Sequence, residues 1–427
     1  MKRTPFATLT LVLFFIALNP GYSIAENADP IHLEMDLDGF QYRSIMESDA
    51  FKKSAAGKKF SAFADNLDLT PVLNSGKRLL DWIIFINQGR AAGQKLSLSS
   101  AATQGGIPIT APGESNDTIV LTRFNKLKPT LPEWFASVVF KNAAFPEQLP
   151  VSDADFILLG RKLNGSYETA SRWLLQAPAL DAYSRVKTKD VRGFYFLTHT
   201  DDIEGKLKNF ENLPAAEQEK ISGWLVSICY NGLPLESLCS NQVAQLRQSH
   251  GDLLDFYQTY LTSGQNTWDS FFKIKVVRPE MVWNSANPNI FEVPFQNPQS
   301  VRVQNFLAQN IEDEWRWNLW QLKLSFDLQA PVHVEFESGA TPHVNEVAGN
   351  KITMDSNQPL TEYGVQWMIR HEFGHVLGFP DCYVEFYDAD KGVMVNYQLD
   401  LDNIMCSRHG HIQQRHYDEL KRTYYQN

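Results

Sequence analysis

The stretch His371-Glu372-Phe373-Gly374-His375-Val376-Leu377-Gly378-Phe379-Pro380-Asp381 decides how this chain of 427 residues is read. On a helix the two imidazoles, at i and i+4, share one face and can bind one metal ion, while Glu372, about 100 degrees round the axis, can reach a water on it. Gly378 suits the left-handed position that ends a helix and turns the chain back towards the metal. Asp381 is then the candidate third ligand. His371, His375 and Asp381 make three protein ligands and leave a fourth tetrahedral position open, the arrangement of a catalytic zinc site. Zn2+ is the expected cofactor, and Glu372 is the expected general base that takes a proton from water and passes it to a leaving amine.

The sequence on either side gives that helix its setting. Upstream, Phe291, Val293 and Phe295 alternate; Val303, Phe306, Leu307, Ile311 and Trp315 follow helical spacing; Leu322, Leu324, Phe326 and Leu328 alternate, as do Val332, Val334 and Phe336. Residues 344–347 and 351–354 flank a hairpin-like Ala348-Gly349-Asn350, and Thr361 is the expected cap of a helix running to about Leu377. Downstream, Asn403-Ile404-Met405-Cys406-Ser407 sets a methionine in a polar turn. The order fits a mixed sheet packed on helices, an α+β fold.

Taken together, these residues resemble the metzincin zinc endopeptidases. His371, Glu372, His375, Gly378 and Asp381 match the extended signature of that family, and Met405 looks like the methionine of its Met-turn, which lies beneath the metal. The Asp in place of a third His is similar to the variant in snapalysin-type secreted bacterial members. The resemblance covers roughly residues 271–427 and implies a catalytic domain with a twisted mixed sheet packed on the active-site helix, a Met-turn and a C-terminal helix. It implies hydrolysis of peptide bonds in a polypeptide substrate. An extended peptide is expected along the sheet edge formed by residues 344–347, where unpaired backbone groups can template it. One departure is Ser407, where several metzincins carry a tyrosine. The alternative function is a catalytically inactive protein-binding or adhesion module on the same fold; the full ligand set and Glu372 disfavour it.

Residues 26–266 read as mainly helical. Ser152 is a cap for the helix holding Phe156, Ile157 and Leu159, and Ile221, Trp224, Leu225 and Ile228 recur at helical spacing. Residues 96–117 read as a long loop, and Thr262-Ser263-Gly264-Gln265-Asn266 as a linker. This gives a helical region over 26–266, a pro-segment or recognition domain, and a catalytic domain over 267–427. Residues 1–25 read as a signal peptide, with Lys2 and Arg3 before an apolar run over 6–18 and small residues Ser23 and Ala25 at the cleavage site. Export follows, to a secreted or periplasmic location, with no membrane span left after cleavage.

The four cysteines are expected to form two local bridges, Cys229–Cys239 and Cys382–Cys406, suited to an oxidising compartment; a zinc-binding role for Cys229 in a pro-segment is the competing assignment. Hydrophobic residues at 43% exclude a mostly disordered chain. Thirty-nine Lys plus Arg against 49 Asp plus Glu give a net charge of −10 with no long basic run, which excludes nucleic acid as a partner. Asp388-Ala389-Asp390-Lys391-Gly392 has the start of a calcium-loop pattern without its distal glutamate, so Ca2+ is a secondary metal expectation. His409, His411 and His416 are candidates for a second metal group or for the cleft lining.

Overall fold

The computed structural model describes residues 69–91, 94–96, 98, 109, 112–338, 340, 342–407 and 410–426; residues 1–25, read as a signal peptide, lie outside them. A helical region comes first: α1 (Thr70–Asn87), a short strand β1 (Gly113–Ser115), α2 (Asp117–Leu127), α3 (Glu133–Lys141), the long α4 (Asp153–Gln176), α5 (Leu180–Val186), α6 (Arg192–Thr198), α7 (Ile203–Lys208), α8 (Ala215–Gly232), α9 (Glu236–Ser249) and α10 (Leu253–Asp269). Ser152 caps α4 as expected, its side chain accepting from the Asp155 N–H. Strands and helices then mix: β2 (Trp283–Asn284), β3 (Ile290–Gln296), α11 (Val301–Leu307) running into a π-helical turn over Ala308–Glu312, β4 (Arg316–Trp317), β5 (Trp320–Asp327), β6 (His333–Glu337), β7 (His343–Val344), β8 (Lys351–Asp355), α12 (Tyr363–Val376), β9 (Tyr383–Asp388), β10 (Val393–Gln398), α13 (Gln414–Tyr424) and β11 (Tyr425–Gln426).

The alternating residues upstream of the helix form strands, and the sheet they build is mixed. β3 runs parallel to β5, β4 turns back on β5, β6 runs parallel to β8, and β7 closes an edge antiparallel to β8. A parallel bridge between Phe295 and Val332 joins the two three-stranded pieces. Phe291, Val293 and Phe295 on β3 are buried, and the ring of Phe373 on α12 lies 6.5 Å from that of Phe295. Inward-facing alternate residues of this mixed sheet thus meet the metal helix on one face.

Three local readings are corrected. Thr262 to Asn266 do not form a linker: they lie inside α10, where Gly264 sits against Phe194 and Ile228 so closely that a Cβ would collide with both. Within 96–117, residues 113–115 form β1, which pairs antiparallel with β10, and α2 begins at Asp117. Thr361 is not the cap of α12; the N-cap is Glu362, without a side-chain hydrogen bond.

Among the described residues the buried apolar side chains form two clusters. One takes in residues 69–191 and 271–424 together, and the second is built from α6 to α10 around Phe194, Leu225, Ile228 and Phe256. The first half of the helical region therefore shares its core with the sheet and α12. No described helix is long and apolar enough to cross a membrane.

Candidate metal centre

Helix α12 is buried almost all round, through Val365, Met368, Ile369, Phe373, Val376 and Leu377. Its end is closed by a Schellman pair: the Gly378 N–H donates to His375 O at 3.0 Å and the Phe379 N–H to Gly374 O at 3.0 Å. Gly378 has φ +95°, and a Cβ there would strike Ile274 and the Val276 carbonyl, so glycine is required twice over. The turn brings Asp381 back over the helix. Its Oδ1 lies 3.2 Å from His371 Nε2 and 3.3 Å from His375 Nε2. Among the described residues these three form the one group of His, Cys, Asp or Glu side chains that could hold a metal ion.

Each imidazole is oriented from behind. His371 Nδ1 lies 2.8 Å from Ile404 O and His375 Nδ1 2.8 Å from Phe379 O. A carbonyl can only accept, so both Nδ1 atoms carry a proton and both Nε2 atoms, the ones that would bind a metal in place of a proton, face Asp381. Around that point His371 Nε2, Asp381 Oδ1 and both carboxylate oxygens of Glu372 are buried with no hydrogen-bond partner. Polar atoms in such a position are costly unless something bonds them. Two imidazole nitrogens and a carboxylate oxygen suit zinc and similar first-row ions, so the donor set fits the expected metal.

The electrostatics favour positive charge between the ligands. Burial by itself would lower the pKa of His375, but the Asp381 carboxylate outweighs it and raises the value to about 9. Asp381 is buried too, which would raise its own pKa, yet His375 and then His371 hold it well below the usual carboxylate range. A bound cation would meet the same negative site.

Met405 packs directly under the helix: a Cβ on Gly374 would overlap its sulfur. The turn that carries it is braced by Asn403, whose Oδ1 accepts from the Met405 N–H at 2.8 Å and lies 3.0 Å from His416 Nε2. Ile404 in the same turn supplies the carbonyl behind His371, and Met405 O accepts from the Cys382 N–H at 3.0 Å. The Cys382–Cys406 disulfide, with Cα atoms 4.7 Å apart, therefore ties the ligand loop to the floor of the site, and Cys229–Cys239 closes the other local loop. Both pairings are as read from the sequence, and the Cys229–Cys239 bridge rules out Cys229 as a free zinc ligand. Converting Cys382 and Cys406 to serine together is expected to lower stability by about 2–4 kcal/mol in chemical denaturation, with loss of zinc at denaturant levels below those of the main transition.

His416 was among the candidates for a second metal group, and its position explains why it is not a ligand. It is buried against Trp315 and Phe379, accepts from the Gln413 N–H, and has its pKa lowered to about 3, first by burial and then by Arg415. His411 instead lies 3.1 Å from Glu314, and His409 is outside the described residues. A histidine held neutral in the fold but protonated when unfolded costs stability as pH falls below about 6.5. The decline should reach about 1.4 kcal/mol per pH unit from this group, so urea midpoints of His416→Gln should fall less between pH 7 and pH 5 than those of wild type. The calcium reading is also corrected: Asp388 ends β9 in a tight hairpin, where its carboxylate takes Lys187 Nζ at 3.2 Å and the Lys391 N–H at 3.3 Å. Asp388 is thus paired with a lysine ammonium, and it belongs to no group of three or more possible metal ligands among the described residues.

Sequence reading missed the support that the helical region gives. On α4, Asn164, Glu168, Arg172 and Gln176 are buried at successive i+4 positions, and Arg172 Nε and Gln176 Nε2 each lie 3.0 Å from Glu385 Oε1 on β9. Tyr397 on β10 donates to Asp190 at 2.7 Å and accepts from the Val191 N–H. The spacing was visible as a helical face; that it is buried was not. None of the family models, curated proteins or solved structures compared with the chain matches it.

Proposed function

We propose that the chain is an exported zinc-dependent endopeptidase of metzincin-like type, with His371, His375 and Asp381 as metal ligands and Glu372 as general base. The observation that carries this reading is the convergence of two carbonyl-oriented imidazoles and one carboxylate, beside a second carboxylate with both oxygens buried and unpartnered. A structural site would engage a fourth side chain, and Glu372 has no such role within the ligand group.

When bound, zinc lowers the pKa of a coordinated water and polarises the scissile carbonyl. Glu372, fixed by the buried helix, accepts a proton and returns it to the leaving amine. Ile404 O and Phe379 O keep the two imidazoles in one tautomer through the cycle. Met405 fills the space under Gly374 and holds the helix at a set height above the Met-turn. The outer edge of β7 offers backbone groups for an extended peptide, since β8 pairs with its other edge.

The helical region supports the site as a lasting part of the fold rather than a removable pro-segment. β1 is hydrogen-bonded into the β9–β10 sheet and residues 69–191 share the core with α12. Two disulfides suit the oxidising, extracellular setting in which such an enzyme would work. Purified protein should cleave a reduced, unfolded polypeptide, lose that activity with a chelator, and regain it with one equivalent of zinc. Full zinc occupancy without cleavage of any unfolded polypeptide would favour the binding-module alternative.

A further inference from the structure

His416 lies in the first turn of α13 and is 2% exposed. It binds no metal, yet it touches the supports of both metal-facing imidazoles. Its Nδ1 accepts from the Gln413 N–H at 2.9 Å, so the proton of the neutral ring is on Nε2. Nε2 lies 3.0 Å from Asn403 Oδ1 and donates to it. The same oxygen accepts from the Met405 N–H at 2.8 Å, and both of its lone pairs are then used. Asn403 is buried, and the residue after it, Ile404, carries the carbonyl that accepts from His371 Nδ1. One hydrogen bond from α13 therefore fixes the turn whose carbonyl orients the first imidazole.

A second route runs through the rings. The Phe379 ring meets His416 edge-on, with centroids 5.2 Å apart and planes at 71°, an arrangement aromatic pairs favour. Phe379 O is the acceptor for His375 Nδ1. Trp315 closes the other side: it lies 6.0 Å from His416 at 88°, stacks on Phe379 at 5.8 Å, and donates from Nε1 at 3.1 Å to Arg370 O, in the residue before His371. The gap beside these rings, which Phe271, Phe272 and Met405 also line, has no room for a water molecule. Solvent cannot stand in for the imidazole there.

We infer that His416 is a positioning residue for the whole metal centre: through Asn403 it sets the carbonyl behind His371, and through Phe379 it sets the carbonyl behind His375. It acts on the ligands by way of their carbonyl acceptors, so that the two imidazoles are already aimed when a metal ion arrives. The inference rests on the reading of His371, His375 and Asp381 as metal ligands and is independent of whether peptides are cleaved.

The test uses the full chain as wild type, His416→Gln and His416→Leu. Zinc affinity is measured by competition with a chromogenic chelator, the zinc-free proteins are melted, and the ring nitrogens of isotope-labelled histidine are followed by NMR in the wild type. Glutamine keeps an N–H close to where Nε2 stands, whereas leucine fills the space without a donor. His416→Leu should bind zinc about 10- to 100-fold more weakly, and His416→Gln should stay within about threefold of wild type because Asn403 keeps its partner. In the wild type His416 should show the Nε2–H tautomer with and without zinc, and its ring signals should shift when zinc is added although it is no ligand. Unchanged zinc affinity in His416→Leu, even with a lowered melting temperature, would reduce His416 to a packing role and overturn the inference alone. Equal losses in the glutamine and leucine variants would also overturn it. Where His416→Leu does not fold, the labelled wild type decides: the Nδ1–H tautomer, or ring signals indifferent to zinc, would overturn it. A wild type that binds no zinc would overturn the metal reading itself, and this inference with it.

Discussion

Glu372→Gln is expected to reduce peptide cleavage by about 100-fold or more while zinc content and fold survive. The amide has nearly the shape of the carboxylate, and Glu372 is fully buried in α12, so the exchange changes neither volume nor the three ligands. What it removes is the capacity to take a proton and give it back. The fall should appear in kcat, with KM little changed, because the group acts on the reacting atoms and not on the body of the peptide. Binding of a non-cleavable peptide should persist. Equal activity in wild type and variant would show that another residue is the base.

His375→Ala is expected to take zinc from one per chain to near none and to abolish cleavage. It removes one of three donors and also the positive partner of Asp381, whose low pKa depends first on His375 once burial is overcome. An acid left without its partner in a mostly buried site costs stability, about 3 kcal/mol where the group is fully desolvated and less here because Asp381 is partly exposed. Melting with and without zinc separates the two effects: wild type should gain stability from added zinc and the variant should not. Asp381→Asn should weaken zinc binding with a smaller loss of stability, because no buried charge is stranded.

The parts legible in the sequence were those in which local pattern and chemistry agree. The i, i+4 histidines, the glycine that ends their helix and the alternating strands before it depend on residues close in the chain, and they are found where periodicity set them. Cys382 and Cys406 could be paired because their neighbours Asp381 and Met405 were expected to converge. What escaped depends on distant partners. β1 is three residues long and finds its partner β10 far along the chain. The polar residues of Thr262 to Asn266 suggested a linker, yet they cover the solvent side of a helix whose Gly264 is set by close approach to Phe194 and Ile228. The polar row on α4 reads as a solvent face until Glu385 is seen to meet it. Asp388 matched a metal-loop pattern, but the lysine that answers it, Lys187, lies on another element.

The central claim is that His371, His375 and Asp381 hold a catalytic metal, and X-ray absorption at the zinc edge of the purified, zinc-loaded protein tests it most directly. The account predicts one zinc per chain with two imidazole nitrogens and oxygen ligands at about 2.0–2.2 Å, no sulfur, and a position whose ligand changes when a hydroxamate-bearing peptide is added. A spectrum with sulfur ligands, one unchanged in His371→Ala, or a closed shell indifferent to the hydroxamate would contradict it.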